Sequence, residues 1–274
     1  MEFTQYQVDA FTAELFTGNP AAVVPLDEWL SDDVMQSIAA ENNLSETAFF
    51  VPEADGFYIR WFTPKGEVDL CGHATLASAY VLFNMRGYKK DRIQFDSRSG
   101  ILTVSQNNEW LTMDFPAQPP VPCDVPEEIF QAFHAAPIEC LKSEDLMVVF
   151  EHEKDILSAN PKFDQLLKLD LRGVIITAKS DRWDFVARFF APKHGIPEDP
   201  VTGSAYTQLA PYWASKIGPK RFRVKQVSSR GGELTCELVG DRVHISGQAI
   251  KFLEGKISLA DSRIAPIRNQ DPDR

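Results

Sequence analysis

The chain has 274 residues, with 28 Lys plus Arg against 39 Asp plus Glu, and a formal net charge of −11. With 44% hydrophobic and 24% charged residues it has ample core material, which excludes wholesale disorder and predicts one large domain or two moderate ones. A broad acidic surface repels phosphate backbones and argues against a nucleic-acid partner, yet it leaves room for a locally positive pocket that takes a small anion.

The segment Met1-Glu2-Phe3-Thr4-Gln5-Tyr6 has no basic region leading into an apolar run, so no targeting segment is expected. Residues 31–42 read as an amphipathic helix. Ser31 is the N-cap, Asp32 and Asp33 favour the positive end of the dipole, and Val34, Met35 and Ile38 form the inner stripe. Glu46 then opens the otherwise apolar strand Glu46-Thr47-Ala48-Phe49-Phe50-Val51. A carboxylate at the start of a buried strand is costly unless paired or used, and burial raises its pKa into the range that suits proton transfer. The plainer reading is a strand-end carboxylate that accepts backbone hydrogen bonds.

An aromatic strand ends at Arg60-Trp61-Phe62-Thr63-Pro64-Lys65, and Asp69-Leu70-Cys71-Gly72-His73-Ala74 opens a helix over 74–85 that stops before Gly87. The longest nearly apolar stretch, 74–83, is too short to span a bilayer. Gly100-Ile101-Leu102-Thr103-Val104 and the run 110–115 predict a hairpin, followed by a Pro-rich crossover at 116–120. The expected division is an N-terminal lobe over 1–117, a C-terminal lobe over 118–264 and a polar tail over 265–274.

The second half repeats the first. Arg188-Phe189-Phe190-Ala191-Pro192-Lys193 matches the aromatic strand at an offset of 128 residues, and Asp199-Pro200-Val201-Thr202-Gly203-Ser204-Ala205 matches the glycine loop at 130 to 131. A helix over 204–216 precedes Gly218, and Gly232-Glu233-Leu234-Thr235-Cys236 begins a second hairpin. The counterpart of the first helix is predicted over 160–169, with Asn160 as N-cap and Pro161 at the first helical position. Each half is therefore α+β, mostly strands with two helices.

Two similar halves packed about a pseudo-twofold set equivalent glycine loops face to face. The backbone N–H groups at Gly72 and Gly203 then converge on a cleft suited to a carboxylate or a developing enolate. Differences between the halves mark the chemistry. Glu46 has no carboxylate counterpart in Leu171-Arg172-Gly173-Val174-Ile175-Ile176. His73 either carries a proton, holds a substrate oxygen or simply packs. Ser204 either donates to a carboxylate or is an ordinary first-turn residue, and Asp199 before Pro200 is either a site carboxylate or an N-cap.

Cys71 can be read as a thiol base at a helix N-terminus, where its pKa would fall, but Thr202 stands opposite it, which disfavours a symmetrical two-thiol racemase. The four cysteines are scattered, with no CxxC pair and no Cys/His metal spacing, so reduced thiols and a cytoplasmic setting are expected, with no metal. No GxGxxG, GxxxxGK[ST] or GxSxG motif is present, which leaves acid/base chemistry without a cofactor.

Phe16-Thr17-Gly18-Asn19-Pro20-Ala21-Ala22-Val23-Val24, Asn43-Leu44-Ser45-Glu46-Thr47-Ala48, Asp69-Leu70-Cys71-Gly72-His73-Ala74-Thr75-Leu76-Ala77 and Gly195-Ile196-Pro197-Glu198-Asp199-Pro200-Val201-Thr202-Gly203-Ser204-Ala205 together resemble the phenazine-biosynthesis PhzF-like family. The resemblance runs from near residue 3 to about 260. It implies a diaminopimelate-epimerase-like fold of two pseudo-symmetric lobes, each a curved mixed sheet around a central helix, with the cleft between them. It also implies a cofactor-independent isomerase, usually a homodimer.

In the family's phenazine-pathway member the substrate is trans-2,3-dihydro-3-hydroxyanthranilate, and a glutamate of the NLSET motif moves a proton. That role carries to Glu46. The family's histidine carries to His73, its aspartate to Asp199 and its serine to Ser204. The expectation is proton transfer on a small carboxylate-bearing metabolite. Glu46, His73 and Asp199 would be catalytic, and Gly72, Gly203 and Ser204 would bind substrate. Two alternatives stay open: an epimerase or racemase using Cys71, and a non-catalytic relative that keeps the cleft for a metabolite or a partner protein. Related epimerases use a cysteine pair, of which only Cys71 is present.

Overall fold

Strands dominate because β-branched and aromatic residues recur in short runs broken by Gly, Pro and Asn. The structure is a computed structural model and describes residues 1–259. In the first half β1 (Glu2–Ala10) and β2 (Asn19–Pro25) lead to α1 (Asp32–Asn42), β3 (Glu46–Glu53), β4 (Gly56–Phe62) and β5 (Glu67–Val68). Then come α2 (Gly72–Tyr80), β6 (Arg92–Asp96), β7 (Leu102–Asn107) and β8 (Trp110–Pro116). The second half begins with β9 (Val121–Pro122), α3 (Glu127–Ala132), β10 (Glu139–Lys142), β11 (Leu146–Val149), α4 (Glu153–Leu157) and α5 (Phe163–Leu166). It continues through β12 (Val174–Lys179), β13 (Phe185–Ala191), β14 (Ile196–Asp199) and α6 (Tyr206–Ile217). It closes with β15 (Arg221–Gln226), β16 (Gly232–Val239), β17 (Arg242–Gly247) and β18 (Ala249–Ser258).

The repeat is written into the pairing. β2 runs parallel to β3, β3 antiparallel to β4, β4 parallel to β6, and β6, β7 and β8 continue antiparallel. Strands β11, β12, β13, β15, β16 and β17 reproduce that series in the same order. The two series join where β8 and β17 pair antiparallel, giving one mixed sheet, and Thr112 meets Ser246 there with hydroxyls 2.8 Å apart. At the far ends β18 returns to pair with β1, and β9 pairs with β10.

Each series wraps a central helix. In α2 every residue from His73 to Ala79 is buried, and its Ala-rich face brings the helix axis close to the strands. In α6 Tyr206, Leu209, Tyr212 and Trp213 fill the second half, with Trp213 stacked on Phe185 at 5.3 Å between ring centroids. Pro211 inside α6 has no N–H to give to the carbonyl four residues back. That carbonyl, on Thr207, instead accepts the N–H of Gln118 at 2.9 Å, which ties the crossover loop to the helix.

Several sequence expectations shift. The first helix spans Asp32–Asn42 with Ser31 as N-cap, and Met35, Ile38 and Ala39 are its buried residues, while Val34 is only half-buried. The helix expected over 160–169 is a single turn, Phe163–Leu166, capped by Lys162 rather than Asn160. Leu166 and Leu169 both reach the core, and burial of these two side chains is satisfied by a tight turn without a continuing helix. The helix expected over 74–85 begins at Gly72 and ends in a wider π-type turn, Val81–Met85. The tail expected over 265–274 lies outside the described residues. Among those residues, no helix is long and apolar enough to cross a membrane.

The halves also meet at Phe11, which sits with φ 61° just after β1 and is fully buried. Its ring occupies a socket on the second half. A Cβ on Gly247 would overlap the ring, and one on Gly203 would approach it to 3.3 Å. Beside the socket, Arg230 donates to Asp9 at 2.9 Å and to the carbonyls of Thr17 and Gly18, clasping the loop between β1 and β2.

Candidate active site

The two glycine loops open α2 and α6 where the halves face each other. A Cβ on Gly72 would lie 3.8 Å from the Cα of Gly203, so the loops touch backbone to backbone. Cys71 and Thr202 are the extended N-cap residues, and neither helix start has a side-chain cap hydrogen bond. Uncapped first-turn amides on both sides are the donor set expected for an anion. Asp199 is not the N-cap that its Asp-Pro sequence allows. It ends β14, and Pro200, Val201 and the extended Thr202 precede the helical turn at Gly203.

Glu46 opens β3 from the position where β2 runs parallel beside it, at Ala21. In the repeat β12 opens on Val174, so the carboxylate is unmatched in the fold as in the sequence. Glu46, His73 and Asp199 are 9%, 5% and 9% exposed, which makes this a dry site. His73 Nε2 lies 3.2 Å from Glu46 Oε2, and Nδ1 lies 3.5 Å from Cys71 Sγ. The Nε2 approach is too oblique for a hydrogen bond, so this buried nitrogen has no protein partner.

Burial governs the titration of each group. It raises Glu46 to about 8, with the charge of Asp199 adding to the rise and a hydrogen bond from Cys71 opposing it. Burial lowers His73 to about 3, so its imidazole is neutral at ordinary pH. Burial also raises Asp199 to about 6 against the pull of hydrogen bonds from Thr202 and Asn19. The alternative reading of Cys71 as a thiol of lowered pKa does not fit its surroundings. Burial, then the charge of Glu46, pushes its thiol well above the usual value and outweighs the Ala74 amide at the helix start.

Asn19, Gln226 and Arg172 join these residues without having been singled out in the sequence, as does Thr202, read there only as the counterpart of Cys71. Asn19 crosses from the first half and donates to Asp199 Oδ1 at 2.8 Å and to the carbonyl of Val201 at 2.9 Å. Thr202 Oγ1 donates to Asp199 Oδ2 in a short hydrogen bond, so both carboxylate oxygens are held. Gln226 donates to the carbonyl of Asp199 and accepts from the amide of Thr202, each at 2.9 Å, which fixes the loop.

Arg172, just before β12, pairs with the fully buried Asp145, and its two terminal nitrogens each lie 3.3 Å from Ser204 Oγ. Its signal was present in Leu171-Arg172-Gly173, a cation standing ahead of the strand whose twin starts with a carboxylate. Ligand atoms of Glu46, Cys71 and His73 fall within 4.8 Å of one another, a set of three that can be asked whether it holds a metal.

The chain matches a family model described as phenazine biosynthesis-like protein (PhzC-PhzF) over residues 8–255. It is 50% identical to a Pseudomonas aeruginosa protein named as an uncharacterized isomerase, over 94% of this chain and 100% of that one. It is 37% identical to the human phenazine biosynthesis-like domain-containing protein, over 94% of this chain and 100% of that one. Among solved structures it is similar to a PhzF-family protein of Enterococcus faecalis, with a TM-score of 0.93 and 46% identity over 94% of this chain and 100% of the other. A hydroxyproline epimerase of Agrobacterium vitis shares the fold at a TM-score of 0.63 with 9% identity, covering 95% of this chain and 93% of that one. The expected diaminopimelate-epimerase-like fold is therefore the one found.

Proposed function

The chain belongs to the PhzC-PhzF family of phenazine biosynthesis-like proteins, and from that premise we propose that it is an isomerase moving a proton within a small carboxylate-bearing metabolite, with Glu46 as the acid/base. The observation that carries the reading is a carboxyl group present in one half only, buried against the neutral imidazole of His73 in the first turn of α2 and within reach of the charge of Asp199.

A native pKa of about 8 lets Glu46 hold a proton at neutral pH and lets its ionised fraction act as a strong base, so one group can take a C–H proton and return it elsewhere. A positioned acid/base of this kind contributes about 10²–10⁴-fold. His73 Nε2, buried and without a protein partner, is the group for a substrate oxygen or nitrogen, and its neutrality keeps it from competing for the proton. Asp199, with both oxygens held, acts through its charge on Glu46 as a positioning residue.

The substrate carboxylate would lie against the amides at Gly72 and Gly203. Arg172 donates to Ser204 Oγ, which leaves the serine hydroxyl hydrogen free for that carboxylate. No cofactor enters this scheme. A thiolate route through Cys71 has less support, since that thiol is held protonated by burial and by Glu46.

The test is turnover of trans-2,3-dihydro-3-hydroxyanthranilate and a panel of amino acids in deuterium oxide. Incorporation of solvent deuterium by the wild type, lost in Glu46→Gln and kept in Cys71→Ala, is the expected result. Unchanged incorporation in Glu46→Gln removes Glu46 from the mechanism, and loss in Cys71→Ala alone favours the epimerase route.

A further inference from the structure

Away from the site, two thiols that are distant in sequence stand against each other. Strand β9 pairs with β10 so that Pro122 faces Leu141, which sets Cys123 opposite Cys140. The N–H of Cys123 donates to the carbonyl of Cys140 at 2.9 Å, and the two sulfurs are 3.6 Å apart. Directly opposed residues on antiparallel strands have Cα atoms about 4.5–5.5 Å apart, inside the range that a disulfide spans. Only side-chain rotation is needed to bring the sulfurs to a bonded distance of about 2.05 Å.

Cys123 is exposed and Cys140, opposite it on the neighbouring strand, is buried. Burial, reinforced by the neighbouring Cys123, pushes the Cys140 thiol up to about 12, so the outer thiol is the one that meets a reagent first. The remaining cysteines, Cys71 and Cys236, are both buried.

We propose that Cys123 and Cys140 form a reversible dithiol–disulfide site, oxidised by low-molecular-weight disulfides such as glutathione disulfide. The Cys123 thiolate attacks glutathione disulfide, a mixed disulfide forms, and one glutathione thiolate leaves and is protonated. Cys140 gives up its proton as its sulfur attacks that of Cys123, and the second glutathione leaves as the thiol. Two protein thiols and one glutathione disulfide become one protein disulfide and two glutathione thiols, a two-electron oxidation of the protein balanced by reduction of glutathione disulfide.

The bond closes the segment 124–139. That segment carries α3, whose Ile129 and Ala132 pack with Cys140 in the core of the second half. It ties the crossover strand β9 covalently to β10, and constraint of the unfolded chain by such a loop raises Tm by about 5 °C.

The experiment equilibrates the full chain in glutathione buffers running from reduced to oxidised, followed by acid quenching, alkylation and mass spectrometry. No Lys or Arg lies between Cys123 and Cys140, so trypsin leaves both in one peptide over 99–142, and cleavage after Glu127, Glu128 and Glu139 separates them. The expected result is a Cys123–Cys140 linked pair of fragments, a mass lower by about 2 Da for the two hydrogens lost, and a Tm rise that dithiothreitol reverses. Cys140→Ala is expected to stop at a glutathione adduct on Cys123 with no Tm rise. Cys123→Ser, a change at the exposed position, is expected to lose the link and the rise while keeping the reduced protein's Tm. Wild-type protein that stays fully alkylatable in the most oxidised buffer, that stops at the Cys123 adduct, or that links through Cys71 or Cys236 overturns the proposal.

Discussion

Replacing Glu46 with Gln keeps the shape of the side chain and removes its titration. In the folded chain Glu46 titrates at about 8, against an ordinary value of 4.5. Between those values the native state keeps a proton that the unfolded state has released, so stability is greatest below the unfolded value and falls as pH rises towards 8. One pKa unit is worth about 1.4 kcal/mol, and the wild type therefore loses about 3 kcal/mol from this group between pH 5 and pH 8.

His73 acts in the opposite sense. Its native value of about 3 lies below the ordinary 6.5, so its contribution is present above 6.5 and is lost as pH falls below it. The wild-type profile alone shows the two trends partly cancelling, whereas the difference between Glu46→Gln and wild type isolates Glu46. Urea unfolding of both proteins at pH 5, 6, 7 and 8 supplies that difference. The Gln variant is expected to be the more stable by about 1 kcal/mol at pH 5, rising to about 4 kcal/mol at pH 8. A difference that stays constant across those pH values would refute burial of an ionisable Glu46.

Two further predictions concern the surroundings of the site. Asp199→Asn removes the charge that helps raise Glu46, so the Glu46 carboxyl, followed by isotope-edited infrared titration, is expected to titrate lower than in the wild type; an unmoved titration would show that Asp199 does not act through its charge. Gly247→Ala sets a methyl group against the Phe11 ring and is expected to cost about 1–3 kcal/mol in urea unfolding, while Gly66→Ala, with nothing within 4 Å, changes stability by less than about 0.5 kcal/mol. Equal effects at the two glycines would remove the socket from the account of how the halves join.

The repeat was legible because strands and glycine loops leave local marks. The aromatic run at Arg60-Trp61-Phe62 and its copy at Arg188-Phe189-Phe190 are both strands, and the helix starts at Gly72 and Gly203 follow short-range backbone rules. Glu46 was legible for a different reason, since a charge at the head of an apolar strand stands out in one dimension. Asn19 was not, because its partner Asp199 lies 180 residues away and an amide in a glycine-rich loop looks like an ordinary turn residue. Arg172 was passed over for the same reason, its pairing with Asp145 being made only when β11 and β12 lie side by side. The helix expected over 160–169 failed where a cap-like Asn-Pro pair preceded a leucine-rich run. Burying Leu166 and Leu169 required one turn, and Leu171-Arg172-Gly173 then had to extend into β12.

The charge state of the site follows from the same duplication. Among the described residues no cation pairs with this carboxyl group, and Arg172, whose charge acts on Asp199, is already committed to Asp145 and to Glu144 at 3.1 Å. With native values of about 8 for Glu46, 3 for His73 and 6 for Asp199, and with Cys71 held protonated, Asp199 is the one of these four that is predominantly ionised at pH 7. Its charge is spread over hydrogen bonds from Asn19 and Thr202, which fix it in place. The proton on Glu46 is then the most loosely held in the cluster, next to a neutral imidazole. Burial, with no counter-ion to Glu46 among the described residues, thus destabilises the ionised carboxyl and raises its basicity, which is what the proposed proton transfer needs.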